Sequence, residues 1–369
     1  MTDADDARPL HSSRELGALE FCPDFPARAA RHEAWWRRET PDGRPLLLGF
    51  ANRDPGRPIT RRLELRDDPD AWLDAKLRDA AQLAPAADAL PHLRVDLGAC
   101  ALPGLMGLPR EFGSDTAWTP SFINDDWSNL PDFRLNRACA LWRTLDALLN
   151  RAAAAARGRC LVATPNLGGA SDILLHLRGA TEICLDVMDQ PEKIIAACAA
   201  LIPAYREASR FLHETVYRRH AGLIHWHLIW SETPYVIAEC DLSYSVGPED
   251  WEKVCRPDVA RQARLAPRCI FHLDGAGSTR HIEALLRIPE IHAIQFTPGA
   301  GAPSALPWLD LFRRIQQAGR SLLIFAPIDE AEELTRALDP AGLALQLEGA
   351  RDPDHLRTVC EKISAGKTP

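Results

Sequence analysis

The feature that most constrains the fold is an alternation of short apolar runs with helical patterns along most of the chain. Eight apolar runs have the length and composition of buried strands: Leu93–Leu97, Cys160–Ala163, Leu223–Leu228, Tyr235–Glu239, Cys269–Leu273, His292–Phe296, Leu322–Phe325 and Leu343–Leu347. The helical patterns are clearest at Arg134–Ala156, Gln190–Arg218, Pro248–Leu265, Thr279–Leu286, Leu306–Ala318 and Asp329–Leu338. This alternation predicts a parallel sheet, and eight strands are the number that closes a (β/α)8 TIM barrel.

An open, doubly wound sheet is the alternative architecture. Such a sheet normally carries a glycine-rich phosphate turn after its first strand, and the nearest stretch, Thr164–Gly169, has adjacent glycines at the wrong spacing. We therefore predict an α/β fold in which residues 41–369 form a single (β/α)8 barrel, with a further strand-like run at Pro45–Phe50. Residues 1–40 are predicted to form an N-terminal helical extension, with a helix at Ala27–Glu39, that covers one end of the barrel.

Charge and cysteine usage narrow the partners and the compartment. The 369-residue chain has a formal net charge of -8 and no block rich in Lys or Arg, so nucleic acid and anionic membranes are not expected partners. The acidic, polar start does not resemble a signal peptide, and no apolar run approaches the roughly 18 residues of a membrane span. Ten cysteines without a CxxC pair predict reduced thiols in a cytoplasmic protein.

The strand ends supply the candidate site residues, because the active site of a (β/α)8 barrel lies at the carboxyl ends of its strands. Polar or sulfur-bearing side chains follow most of the apolar runs: Asp96, Asn166, His225, His227, Cys240, Asp241, His272, Asp274, Gln295 and Glu348. Trp226 is placed to wall the pocket. Asn166 and Gln295 are neutral donors suited to orienting a substrate oxygen, or alternatively to capping loops and helices.

The stretch Arg268–Gly277, RCIFHLDGAG, carries the most specific chemistry. Successive side chains of a strand alternate between faces, so His272 and Asp274 are predicted to point into one pocket. A histidine and a carboxylate that converge at a strand's exit suit proton transfer or metal ligation. The alternative is structural, with Asp274 capping the next helix and His272 satisfied by an internal hydrogen bond.

A second pair, His225 and His227 in LIHWHLIW, is predicted to share one face of its strand. A histidine pair at this spacing is typical of metal or acid–base sites. One member can instead form a hydrogen bond inside the barrel. His227 lies nearer the strand exit and is the preferred catalytic residue.

Four passages share a pattern with a known superfamily. TPNLGGASDILLHLRG at Thr164–Gly179 is a Gly/Pro turn that leads into a helix ending in Arg-Gly, and ECDLSYSVGPEDWEKVCRP at Glu239–Pro257 is a strand-end Asp followed by a Pro-started helix. FHLDG at Phe271–Gly275 and AIQFTPGAG at Ala293–Gly301 are a strand end and the strand and loop that follow. Together, over roughly residues 90–365, they resemble the uroporphyrinogen decarboxylase superfamily of (β/α)8 barrels, which includes zinc-dependent corrinoid and thiol methyltransferases.

The resemblance implies a metal site with altered ligands. In the methyltransferases zinc is held by His-x-Cys and a later Cys; here His272 matches the His, Asp274 replaces the first Cys, and Glu348 lies near the second. Cys240 is either a fourth ligand or a core thiol, and Asp241 is expected to fix a histidine tautomer. The implied cofactor is a divalent metal such as zinc, although carboxylate ligands shift the preference toward manganese or iron(II).

The resemblance also separates this chain from the decarboxylases themselves. Those enzymes grip an octacarboxylate substrate with an Arg-rich segment, whereas the corresponding region here, Leu46–Arg57, reads LLLGFANRDPGR. Several convergent cations are needed to bind so many carboxylates. Decarboxylation of uroporphyrinogen is therefore not expected, although Asp96 falls near the family's catalytic Asp.

The resulting expectation is a metal-dependent methyltransferase that acts on a small thiol or oxygen substrate. The sequence has no corrinoid-binding DxHxxG pattern, so a corrinoid would be carried by a partner protein. One alternative is a metal-free decarboxylase or lyase in which Asp96 or Asp274 stabilises an intermediate and His227 or His272 moves the proton. A second alternative is a non-catalytic ligand-binding barrel. Relatives in the superfamily are often homodimers, and the same is expected here.

Overall fold

The computed structural model describes residues 17–54, 66–113, 116–220, 222–299 and 304–366. Its strands are β1 Leu46–Asn52, β2 Leu83–Ala87, β3 His92–Arg94, β4 Glu111–Phe112, β5 Ala117–Trp118, β6 Leu161–Thr164, β7 Leu223–His225, β8 Trp230–Ser231, β9 Tyr235–Glu239, β10 Arg268–Asp274, β11 Ala293–Thr297, β12 Ser321–Pro327 and β13 Leu343–Glu348. Its helices are α1 Phe25–Trp36, α2 Pro69–Gln82, α3 Leu102–Leu105, α4 Ala140–Ala156, α5 Ala170–Arg178, α6 Ala180–Asp189, α7 Pro191–His220, α8 Pro248–Asp250, α9 Arg256–Ala263, α10 Ile282–Leu286, α11 Leu309–Gln317, α12 Ala331–Ala337 and α13 Pro353–Ala365.

Parallel strands form two arrays. The larger sheet has the order β2-β1-β13-β12-β11-β10-β9, with β2 antiparallel at one edge and the other neighbours parallel. The smaller sheet has the order β3-β6-β7-β8, with β8 antiparallel. Side chains connect the arrays at both junctions: the rings of Phe50 and His92 lie 5.4 Å apart, and His225 Nε2 lies 2.9 Å from the Tyr235 carbonyl oxygen. The fold is therefore mixed α/β with parallel strands in both arrays.

One predicted strand is present inside the larger sheet, and another is shorter than predicted. The run at Pro45–Phe50 becomes β1, which lies inside the larger sheet between β2 and β13. The run at Leu223–Leu228 pairs only as far as His225, because a turn follows in which the Leu228 N–H donates to the His225 carbonyl and Leu228 has φ +60°. His227 thus lies in a turn, and the prediction that His225 and His227 share a strand face is wrong.

Helix α1 packs against the amino ends of the strands. Trp35 Nε1 donates to the Leu322 carbonyl at 3.3 Å, near the start of β12, and Trp36 Nε1 donates to the Trp230 carbonyl at 3.1 Å. The Glu33 carboxylate accepts two hydrogen bonds from Arg268, the first residue of β10, at 2.8 and 2.9 Å. Side chains of α1 fill the space at the amino ends of the strands. A site is therefore expected at the carboxyl ends.

Two local features agree with the sequence. Gly319 and Gly342, which precede β12 and β13, have φ of +75° and +72°, the left-handed conformation that such turns require. The ten cysteines are all free thiols. Within the described residues, no helix combines the length and apolar character needed to cross a membrane.

We expect Trp35→Ala to lower the free energy of unfolding by about 3–5 kcal/mol, since it removes a large buried aromatic side chain and its hydrogen bond to β12. Trp35 is 2% exposed, whereas Trp118 is 40% exposed and serves as the matched control. Urea denaturation followed by far-UV circular dichroism gives both values. A cost below about 1 kcal/mol for Trp35→Ala, equal to that of Trp118→Ala, would show that α1 does not anchor the strand ends.

Candidate metal centre

Three side chains from the carboxyl ends of β9 and β10 come together. His272 and Asp274 belong to β10, and Asp241 follows β9 in a short 3-10 turn. One potential ligand atom from each lies within 4.8 Å of the others, and no other such trio of His, Cys, Asp or Glu occurs among the described residues. An imidazole and two carboxylates are a donor set that zinc, manganese and iron(II) accept.

A neighbouring glutamine fixes the histidine. His272 pairs in register with Gln295 on β11, and the His272 Nδ1 forms a hydrogen bond with the Gln295 side-chain oxygen. The Gln295 amide nitrogen in turn donates to Thr297 Oγ1 at 2.8 Å. Since an amide oxygen only accepts, Nδ1 carries the proton and Nε2 presents its lone pair to the site. Gln295, which the sequence assigns to substrate binding, orients His272 in this structure.

A buried carboxylate on another helix holds the backbone of Asp241. Asp172 of α5 is 2% exposed, and its Oδ1 accepts hydrogen bonds from the N–H groups of Asp241 at 2.6 Å and Leu242 at 3.4 Å. Its Oδ2 is buried without a hydrogen-bond partner in the described chain. Burial and then the neighbouring Asp241 and Glu239 raise the pKa of Asp172 well above its usual range. The acids of this region therefore repel one another, which favours a bound cation.

Glu239 is a further buried acid in the same row of the sheet. It is the last residue of β9 and pairs in register with His272. Asn166 Nδ2 donates to both Glu239 carboxylate oxygens at 3.1 Å. Burial is the largest cause that raises the pKa of Glu239, to about 7, with Asp241 and Asp274 adding to it and His272 and Asn166 opposing it. Glu239 can therefore exchange a proton near neutral pH.

Aromatic rings close one side of the trio. The Trp226 ring contacts the His272 ring edge-to-face at 5.1 Å, and the His227 ring lies 3.8 Å from the Trp226 ring and 5.4 Å from the His272 ring. His227 is fully buried, and neither of its ring nitrogens has a hydrogen-bond partner in the described structure. Burial, followed by the neighbouring His272, lowers the pKa of His227 well below its usual value. The ring is consequently neutral at physiological pH.

The remaining candidates lie apart from the trio. Glu348 is an exposed residue at the end of β13, and two strands, β11 and β12, separate β13 from β10. Cys240 is buried, and Ser171 Oγ donates to its sulfur at 3.4 Å. A hydrogen bond with Cys255 and burial raise the pKa of the Cys240 thiol well above its usual value, so the thiolate is disfavoured. Of the ligands predicted from the sequence, His272 and Asp274 belong to the converging group, Asp241 joins them, and Glu348 and Cys240 are not part of it.

Two other sequence candidates are internal groups. Asp96 lies beyond β3, is 5% exposed, and accepts a hydrogen bond from the Gly98 N–H at 2.9 Å. His225 Nδ1 is hydrogen-bonded to Thr164 Oγ1, and its Nε2 contacts the Tyr235 carbonyl. Both ring nitrogens of His225 are therefore used within the protein, as the structural alternative for this pair predicts.

Sequence reasoning did not select Glu239 or Asp172. A signal for Glu239 exists, because it precedes Asp241 by two residues at a strand end and the same alternation that pairs His272 with Asp274 applies to it. Asp172 has no such signal. Its contact with Asp241 spans 69 residues and depends on how α5 packs against the turn after β9.

Comparisons with known proteins extend the description of the fold. No family model and no curated protein matches the sequence. A methyltransferase from Methanosarcina mazei is similar in structure, with a TM-score of 0.59 over 92% of this chain and 98% of that one, at 10% sequence identity. At so low an identity the similarity concerns the fold alone: this chain has a methyltransferase-like fold.

Proposed function

We propose that this protein is a metal-dependent methyltransferase of the uroporphyrinogen decarboxylase superfamily, built on a (β/α)8 barrel. The observation that carries the proposal is the convergence of His272, Asp274 and Asp241 at the carboxyl ends of β9 and β10. A barrel of this class places its chemistry at that edge. The fold shared with the Methanosarcina mazei methyltransferase supports the reaction class.

The side chains present fit a divalent cation. His272 has Nε2 free for a metal because Gln295 takes Nδ1. Asp241 and Asp274 supply two anionic oxygens, and the backbone of Asp241 is held by Asp172. Three protein ligands leave positions for substrate, as in catalytic metal sites. When bound, such a cation supplies a Lewis acid that lowers the pKa of a substrate thiol or hydroxyl group.

The protein's own groups handle the substrate's proton and exclude water. Glu239 borders His272 in the sheet, and its pKa of about 7 suits the acceptance of a proton from a substrate thiol or hydroxyl at neutral pH. Asn166 keeps the Glu239 carboxylate in place through two hydrogen bonds. Trp226 and His227 wall one side of the trio, which limits competing attack by water.

The methyl donor in this proposal is a corrinoid carried by a separate protein. Such a carrier would supply the methyl group from methyl-Co(III): attack by a substrate thiolate or alkoxide would form the S–C or O–C bond, break the Co–C bond and leave Co(I) on the carrier, while His272, Asp241 and Asp274 would hold the divalent metal beside the acceptor. The acceptor is then a small thiol or oxygen compound. The assay follows the loss of the methylcobalamin absorbance in the presence of 2-mercaptoethanol, with free cobalamin standing in for the carrier protein.

A metal-free decarboxylase or lyase is the second candidate function, and the burial of Glu239 favours it. Glu239, with a pKa of about 7, and the neutral, fully buried His227 both neighbour His272, and such a carboxyl group can protonate a carbanion or accept a proton without a metal. The two functions differ in one respect. Thiol methylation must disappear after chelation, whereas acid–base lyase activity must survive it.

We expect wild-type protein purified without a His-tag to contain about one equivalent of a divalent metal, and His272→Ala and Asp241→Asn to lose most of it, because each removes one of three ligands. Elemental analysis by mass spectrometry gives the stoichiometry. Methyl transfer to 2-mercaptoethanol should fall at least about 100-fold in both variants.

Glu348→Gln and Cys240→Ser are the matched controls, and both are expected to retain the metal. Loss of metal in these two variants with retention in Asp241→Asn would overturn the ligand set given by the structure. Absence of metal from every protein, even after reconstitution with zinc, manganese and iron(II), would rule out the metal-dependent mechanism.

The environment of Glu239 also predicts a pH dependence of stability in metal-free protein. A carboxyl whose pKa is about 7 when folded, against an ordinary value of 4.5, binds more proton in the folded state between those two values. Its contribution to stability therefore falls as the pH rises from about 4.5 to 7 and is constant above that. Glu239→Gln should make the measured decline smaller by the share of Glu239, while the other buried acids with raised pKa values, such as Asp172, keep their own shares; urea unfolding at pH values from about 5 to 8 measures the difference.

The control for this prediction is Glu192→Gln, which neutralises an exposed acid in the first turn of α7. It should retain the decline of wild type. If Glu239→Gln and wild type lose the same free energy of unfolding between pH 5 and 7, Glu239 does not carry a raised pKa, and its role as a proton acceptor is excluded.

A further inference from the structure

A cavity of about 400 Å³ opens at the carboxyl ends of β1 and β13, on the same edge of the sheet as the metal trio. Its apolar walls include Leu48, Phe50 and Leu83, and its polar lining side chains are Asn52, Gln346 and Glu348. The volume falls within the range of small-molecule sites in proteins. It is large enough for a ligand of several to about a dozen heavy atoms.

The described lining of the cavity carries negative charge and no positive charge. Glu348 is the only charged residue among those that line the cavity, and all of them lie in the described part of the chain. Glu348 is an exposed residue, and no ion pair or hydrogen bond from the described residues reaches its carboxylate. Desolvation raises the pKa of this carboxyl above its ordinary value. A cation in the cavity would stabilise the ionised form of this partly desolvated carboxyl group.

A second acceptor on the same strand is also without a partner. Gln346 precedes Glu348 by two residues on β13, so the two side chains lie on one face of the strand. The Gln346 Oε1 is buried and accepts no hydrogen bond within the described structure. A buried acceptor without a donor is costly, and a ligand N–H or O–H group would relieve that cost.

Phe50 contributes an aromatic ring to the same wall. It follows Leu48 by two residues on β1, and Leu48 pairs in register with Gln346. The three side chains Phe50, Gln346 and Glu348 therefore line one cavity from two adjacent parallel strands. An aromatic ring and a carboxylate that line the same cavity are a combination suited to organic cations, because both attract positive charge.

We propose that this cavity is a binding site for a small organic cation of the alkylammonium class. Glu348 supplies the counter-charge, Gln346 Oε1 accepts a hydrogen bond, and Phe50 provides the apolar and aromatic wall. Anionic ligands are disfavoured, because the described lining offers a negative charge and no positive one. The site goes beyond the proposed methyl transfer and does not require the metal.

The test is isothermal titration calorimetry of the full chain with choline and with 3,3-dimethyl-1-butanol, its neutral isostere. Choline should bind at least about tenfold more tightly than the isostere, because only choline carries the charge. Glu348→Gln should weaken choline binding by about tenfold and leave binding of the isostere unchanged. Phe50→Leu should weaken choline binding by about three- to tenfold.

Glu192→Gln, an exposed acid on α7, is the charge-matched control and should bind choline as wild type does. Circular dichroism confirms that each variant is folded, and titrations in EDTA separate this site from the metal trio. Equal affinity for choline and its isostere, no effect of Glu348→Gln, or preferential binding of acetate would each overturn the proposal. Failure of the methyl-transfer assay with choline binding intact would refute only the proposed function.

Discussion

In-register pairing of three parallel strands is the constraint on which the candidate site depends. The pairing aligns Glu239 of β9, His272 of β10 and Gln295 of β11 in one row. Each member then has a fixed neighbour: Gln295 sets the tautomer of His272, and Glu239 lies on its other side. A slip of one residue in either ladder would turn these side chains to the opposite face and dismantle the site. The backbone hydrogen bonds of the sheet therefore set the positions of Glu239, His272 and Gln295, whereas Asp241 is held in the turn after β9 by the side chain of Asp172.

Burial of several acids follows from that arrangement. Glu239 and Asp172 are buried, and their neighbours Asp241 and Asp274 bring further negative charge. Within the described ranges these acids are compensated by directed hydrogen bonds, from Asn166 to Glu239 and from the Asp241 backbone to Asp172, and not by arginine. A guanidinium group would occupy the position that a cation or a cationic intermediate requires. Burying several acids close together lowers the stability of the fold, as is common in catalytic sites.

Local sequence patterns predict the parallel strands and the pairing of His272 with Asp274. They do not predict the turn at His227 or the contribution of Asp172. Strand–helix alternation predicts the parallel strands, and the two-residue period of a strand predicts that His272 and Asp274 point the same way. The same period misleads at His227, because a turn after His225 interrupts the strand, and no breaker residue in LIHWHLIW indicates it. Glu348 enters the predicted ligand set by resemblance, whereas the spatial distance between β10 and β13 is set by the sheet order. Asp172 is found only from the packing of α5.

Helix α1 has a consequence for how the chain reaches this fold. Trp35 donates to a carbonyl 287 residues away, and Arg268, the partner of Glu33, lies 235 residues away. During synthesis from the amino end, Trp35 and Trp36 emerge long before their partners, because the carbonyl that Trp36 contacts belongs to Trp230 and the one that Trp35 contacts belongs to Leu322. Contacts of such long sequence separation slow folding, and apolar surface that waits for its partner invites aggregation. Helix α1 is thus expected to be fixed in place late in folding, since the strands it packs against are made long after it.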